Sequence, residues 1–158
     1  MRMSAFSYWE IASHLVDLTI AYLLALPIGW EREHTARSAG IRTFPLVAIG
    51  ACSFVLIAIR VLGDTSAAQA RIIEGLITGV GFIGGGAILK TSRQASGTST
   101  AAGLWATGAM GAAVGYGLYD IAAILSVATF ATLRFSTPLK KGAHQTEAPA
   151  EIAPKADR

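Results

Sequence analysis

No acidic residue falls between Glu74 and Asp120, and charged residues make up only 15% of the chain. That gap argues against a dinucleotide site at Gly79-Val80-Gly81-Phe82-Ile83-Gly84. The stretch spells G-x-G-x-x-G, but the fingerprint needs an acid about 20 residues on for the ribose hydroxyl. A Walker-type phosphate loop is absent too, because Lys90 follows Leu89 and not glycine. The one cysteine, Cys52, excludes an intrachain disulfide and reads as a small core residue. No nucleophile, base and orienting group stand at a workable spacing, so the sequence carries no enzyme signature and calls for no cofactor. The N-terminus also lacks a leader pattern: only Arg2 precedes the apolar region, and Glu10, His14 and Asp17 interrupt its start. The first apolar segment is therefore expected to stay.

What is present is apolar. Hydrophobic residues make up 53% and the mean hydropathy is +0.50, well above a soluble domain of this length. The charges gather near the ends of long uncharged stretches, each close to the roughly 20 residues that a helix needs to cross a hydrocarbon core. Five such stretches predict an all-α membrane bundle with helices at about 11–30, 44–62, 71–89, 100–116 and 120–135. Residues 1–135 form this transmembrane domain, and the Pro-, Ala-, Lys- and Glu-rich residues 136–158 are expected to be a disordered cytoplasmic tail. Pro27 predicts a kink or an end of the first helix.

The net charge of +3 does not point to nucleic acid, since the basic residues flank apolar segments without interleaved aromatics. They set topology instead. With the N-terminus outside, Arg32, Arg37, Arg42, Lys90, Arg93, Arg134, Lys140 and Lys141 fall inside, against Arg2, Arg60 and Arg71 outside. The expected protein is multi-pass in a bacterial inner membrane, N-out and C-in.

The stretch 75–89 holds Gly75, Gly79, Gly81, Gly84, Gly85 and Gly86, and its G-x-x-x-G spacings suit close helix contact in lipid. It is expected to be the central helix. Gly84 to Gly86 either pack or unwind the helix beside an ion. Gly111 and Gly115, on the fourth predicted helix, are further packing positions.

The candidate site residues lie in two polar connectors that share the inner side. In the first, Glu31, Arg32, Arg42 and Thr43 stand at a membrane boundary, where they would bind a polyanion, a lipid headgroup or a partner, or else form a solvated loop with Arg42 snorkelling. A buried Glu31–Arg42 ion pair is an equal structural alternative. Glu31, Glu33 and His34 match no standard metal spacing. In the second, Thr98, Ser99 and Thr100 would coordinate an ion or anion at a helix N-terminus, or Thr98 or Ser99 would simply cap it. Asp17 and Glu74 are the candidate intramembrane acids. Each is read either as an ion or proton site or as an interface acid, Asp17 helped by the helix dipole and Glu74 by Arg71 three residues earlier.

Three blocks then carry a resemblance: 29–33 through 39–43, 79–86, and Gly97-Thr98-Ser99-Thr100-Ala101-Ala102-Gly103-Leu104-Trp105. In order and spacing the chain resembles the MgtC/SapB family of bacterial inner-membrane proteins over about residues 11–135. The resemblance implies a small helical membrane protein linked to magnesium limitation, ion homeostasis and, in pathogens, survival in host cells. It further implies a modulator of other membrane machinery, including the proton-translocating ATP synthase, more than a transporter. Two features depart from the family pattern: residues 136–158 are too short and polar for the small C-terminal domain of many relatives, and Gly97-Thr98-Ser99-Thr100 stands where a Gly-Leu-Thr-Thr type pattern is usual. The leading expectation is a non-enzymatic, self-associating modulator that contacts the lipid bilayer and a membrane protein such as ATP synthase or a transporter. The alternative is a cation or proton transporter using Asp17 and Glu74.

Overall fold

The first apolar run folds as one helix well past its predicted end. In the computed structural model, which describes residues 8–35, 39–63, 67–90 and 95–143, α1 spans Tyr8–Thr35. Pro27 lies inside it, so of the kink or end expected there the end does not occur. An interior proline loses one ladder bond and crowds the carbonyl four residues back; Ile28 and Gly29, immediately after it, are buried against neighbours, and that packing keeps the helix continuous. Then follow α2 at Thr43–Leu62, α3 at Ala68–Gly86, the strands β1 (Leu89–Lys90) and β2 (Ala95–Ser96), α4 at Thr98–Gly115, and α5 at Tyr119–Ala143. The fold is therefore all-helical apart from one short antiparallel pairing, Leu89 opposite Ser96 and Lys90 opposite Ala95. Of these helices α1 and α2 are long and apolar enough to cross a membrane by length and composition.

Helix α5 also outruns its predicted end, reaching Ala143 and not stopping near residue 135. Leu139, Lys140, Lys141 and Ala143 favour helix. Residues 136–143 are thus helical where a disordered tail was expected, and the rest of that stretch lies outside the described residues.

Local signals explain the turns. At Tyr116 to Leu118 the chain closes α4 with Gly117 at φ 72°, the Leu118 N–H bonding Ala113 O and the Gly117 N–H bonding Val114 O. This is the Schellman arrangement, which needs a left-handed residue that glycine supplies most cheaply. At the other end of α4 the turn and cap residue is Gly97, φ 89°, which has no side chain to cap with. The expected capping by Thr98 or Ser99 does not occur, because both already lie within the helix. Gly84, Gly85 and Gly86 do not break α3 in its middle: they form its last turn, with the Ala87 and Ile88 N–H groups bonding carbonyls of residues 83–85.

The bundle is centred on α4, not on the glycine-rich α3. Helix α4 touches each of the other four helices, and its residues from Met110 through Gly115 are buried in an unbroken run. Gly103 meets the Phe44 ring and Leu133, Gly108 lies where a Cβ would come 2.7 Å from Val80 Cγ2, and a Cβ on Gly111 would overlap the carbonyl oxygen of Ala48. Gly115 is similarly close to Cys52 O and Val55. Only small residues let backbones approach this far. In α3, Gly84 alone of the six expected packing glycines meets a neighbour, since a Cβ there would come 3.2 Å from Ala101 O. By contrast, Gly75, Gly79, Gly81, Gly85 and Gly86 face open space, and Phe82 is 85% exposed. The physical reason is that α4 is small or apolar on every side, and a helix without a polar face belongs inside.

Gly111→Ala is expected to destabilise the chain by about 2 kcal/mol through overpacking against the α2 backbone, whereas Gly79→Ala should be neutral or stabilise by up to about 1 kcal/mol. Unfolding of the two purified variants in detergent checks both.

Candidate functional site

Helices α1 and α5 run parallel and are clasped at regular intervals. The Tyr119 hydroxyl donates to Asp17 Oδ1 at 2.6 Å, the Ser126 hydroxyl to Leu24 O at 2.7 Å, and the Arg134 guanidinium to Glu31 Oε2 at 3.3 Å. On α1 these positions recur every two helical turns, so they fall on one seam. Asp17 is therefore half-buried and tied to a tyrosine. Glu74 is exposed on α3, and the expected pair with Arg71 is not formed among the described residues. Near the Tyr8 end, Arg60 and Glu10 form an exposed ion pair at 2.9 Å that joins α2 to α1.

The opposite end of the bundle, where α1 and α5 finish and α2 and α4 begin, carries the connector residues. Its geometry starts from Gly29, where a Cβ would come 3.0 Å from the Ile41 Cα. This contact folds the first connector back onto α1. The Ile41 N–H then donates to Glu33 Oε2 at 3.1 Å, and the Glu33 carboxylate fills the space beside Gly40 that a side chain would need. Glu31 is 7% exposed; besides Arg134 it accepts from the Thr35 hydroxyl at Oε1, 3.2 Å. Arg32 is equally buried at 7%, and its Nε has no hydrogen-bond partner. His34 stacks on Trp30 with ring centroids 5.2 Å apart and bonds the Trp30 carbonyl.

The expected residues thus separate into two sets. Glu31, Arg32 and Thr100 (1% exposed) are buried at this end, Thr43 is half-buried, and Arg42, Thr98 and Ser99 are exposed. The suggested Glu31–Arg42 pair is replaced by Glu31–Arg134. Arg42 precedes α2 and is exposed, while the parallel register of α5 brings Arg134 alongside Glu31. Arg134 and Thr35 join the site without having been expected there. Thr35 had a legible signal, being four residues after Glu31 on one helix. Arg134 had none, since a contact 103 residues apart leaves no local trace. Among the described residues no three His, Cys, Asp or Glu side chains are grouped to hold a metal ion.

Residues 18–142 match the MgtC family, a span that runs from α1 just past Asp17 into the last turn of α5. The chain belongs to the MgtC family. This MgtC-family chain is 41% identical to protein SrpB of Synechococcus elongatus, over 73% of its own length and 70% of SrpB. It is 39% identical to protein MgtC of Brucella abortus, over 83% of its length and 55% of that protein. With YhiD of Escherichia coli (strain K12), a candidate magnesium transporter by its name, it shares 33% over 77% of its length and 60% of YhiD. The chain therefore spans little more than half of the last two relatives. No solved structure matches it.

The seam should be energetically modest at both ends, since Tyr119 is 44% exposed and Arg134 more so. Because the Arg134 side chain is 63% exposed, a double-mutant cycle of Glu31→Gln with Arg134→Ala is expected to give coupling of about 1 kcal/mol or less. Tyr119→Phe should cost about 1–2 kcal/mol, since it removes a hydrogen bond to a carboxylate. Both are read from unfolding in detergent.

Proposed function

We propose that this MgtC-family chain is a non-enzymatic, multi-pass inner-membrane protein that modulates ion homeostasis through contacts with other membrane proteins. All five helices cross the membrane in this reading, with the Tyr8 end outside and the Arg32 end inside. The observation that carries the modulator role is the way the interior spends its polar groups. The Thr107 hydroxyl bonds Gly103 O within α4, and the Ser126 hydroxyl bonds Leu24 O across to α1. Around them lie Ala21, Ala25, Phe44, Ala48, Cys52, Leu104, Met110 and Val114, packed as one apolar cluster. A cation path needs polar groups or carbonyls turned toward water. Here Asp17 is tied to Tyr119 at the bundle's edge and Glu74 lies on an outer face, which supports action by contact.

The names of the relatives support the link to ions: the Brucella MgtC shares 39% identity, and the YhiD name favours the second reading, transport of a cation. The partner class proposed is a membrane ion machine such as the ATP synthase or a transporter. A second copy is also proposed, docking along the open glycines of α3.

Reconstituted into proteoliposomes, the chain is expected to leave magnesium and proton flux at the level of protein-free vesicles, while affinity purification from low-magnesium membranes recovers a membrane partner. Flux that falls on Glu74→Gln would establish transport instead. For self-association, Gly79→Leu is expected to shift the chain from oligomer to monomer in cross-linking without changing its abundance; an unchanged oligomer would remove α3 as the interface.

A further inference from the structure

We infer that the Arg32 end of the bundle binds a phosphate group, held by the Arg32 guanidinium beside the first turn of α4. Arg32 continues the stripe Ala21, Ala25, Ile28, which is the buried face of α1. Spacings of four, three and four residues keep these positions on one side of a helix. Ile28 and Leu104 belong to the same core cluster, and α1 and α4 run in opposite directions. One turn further along α1 from Ile28 is Arg32, and one turn earlier on α4 from Leu104 is Thr100. Both therefore lie at the end of the bundle where α1 finishes and α4 begins, and both are buried.

The carboxylates nearest in sequence are already committed elsewhere. Glu31 turns to Arg134 and Thr35, and Glu33 takes the Ile41 N–H. Arg32 is left with a buried Nε that has no acceptor. A buried donor without a partner is costly, more so on a charged group. Among the described residues the same end also presents Arg42 and Arg134, the latter paired with Glu31, and the residue that leads into α4 there is Gly97, which has no side chain. A tetrahedral oxyanion meets these demands together. It accepts from the planar guanidinium fork and from helix-leading N–H groups, and it adds negative charge where Arg32 has only the neighbouring Glu31, itself paired with Arg134. A phosphate can come from a phospholipid headgroup at the membrane boundary or from a soluble phosphate compound. The site is independent of how the chain acts on ions, so its failure leaves the modulator reading intact.

The test uses the full chain purified in a phosphate-free maltoside detergent. Phosphatidylglycerol is compared with diacylglycerol in mixed micelles, and inorganic phosphate with chloride at equal ionic strength, reading retained lipid by native mass spectrometry and the unfolding temperature. Expected are binding and a raised unfolding temperature with a phosphate probe, weakened about tenfold by Arg32→Gln, as befits loss of a charged hydrogen bond. Arg42→Gln, at an exposed position, should change binding less than roughly threefold. Arg32→Lys keeps the charge and loses the fork, so it covers the case in which Arg32→Gln does not fold, and it should also bind more weakly. A response to phosphatidylglycerol alone assigns a lipid headgroup, and a response to inorganic phosphate as well assigns a soluble ligand. The inference is overturned if neither probe binds, if both Arg32 variants bind like the wild type, or if Arg42→Gln weakens binding as much as Arg32→Gln.

Discussion

Everything in this bundle depends on how closely α4 lets its neighbours approach. Lipid tails are as apolar as the helices, so burial from lipid gives little reason to associate, and van der Waals contact has to supply it. Gly103, Gly108, Gly111 and Gly115 provide that contact on more than one side: the first against Phe44 of α2 and Leu133 of α5, the second against Val80 of α3, the last two against the α2 backbone. Helix α4 can be packed on most of its sides because none of them needs water, and beyond its first turn only a strip through Ala102, Trp105 and Ala109 stays exposed. The remaining helices each give one face to it and leave the other exposed, as Phe54, Phe82 and Ile124 illustrate.

With the centre fixed by shape, the periphery is fixed by polar clasps. Helices α1 and α5 are far apart in sequence and parallel, so no short turn determines their register. The clasps at Asp17, Leu24 and Glu31 do so, because a slip by one residue on either helix would carry all three donors away from their acceptors. Each clasp is worth little singly, by analogy with other hydrogen bonds in which water or alternative partners compete. Their value lies in specificity: they select one register among several that the apolar surfaces would accept.

The existence of the five helices was legible because long uncharged runs between charged connectors have few other outcomes. Helix ends were less so. Pro27 read as a kink or an end, yet it lies within α1, where the buried residues that follow it offset the lost ladder bond and the crowding of the ring. The central helix was the hardest feature to read. Helix α3 has the denser glycines, but Arg71 and Glu74 give it a polar beginning, while α4 runs from Thr98 to Gly115 with no charged residue at all. The even distribution of small and apolar residues around α4 was the better signal for burial. At the candidate site, Glu31 and Arg32 were legible as charges at a boundary. Which cation answers Glu31 was not, because that depends on the register of α1 against α5.

The buried polar groups also indicate where chemistry can reside. Thr107 and Ser126 sit in the apolar interior and spend their hydroxyl protons on helix carbonyls, an arrangement that leaves them inert. At the Tyr8 end, Gln69 bonds the Gly63 carbonyl and is likewise spent. Among the described buried side chains, the atom left without a partner is Arg32 Nε, at the other end of the bundle. Burial of a guanidinium is tolerated only when its charge and donors are answered. In a bundle that satisfies its interior so fully, the remaining demand for a partner falls on the layer where α1 ends and α4 begins, and a ligand that met it would act on two helices of the central contact at once.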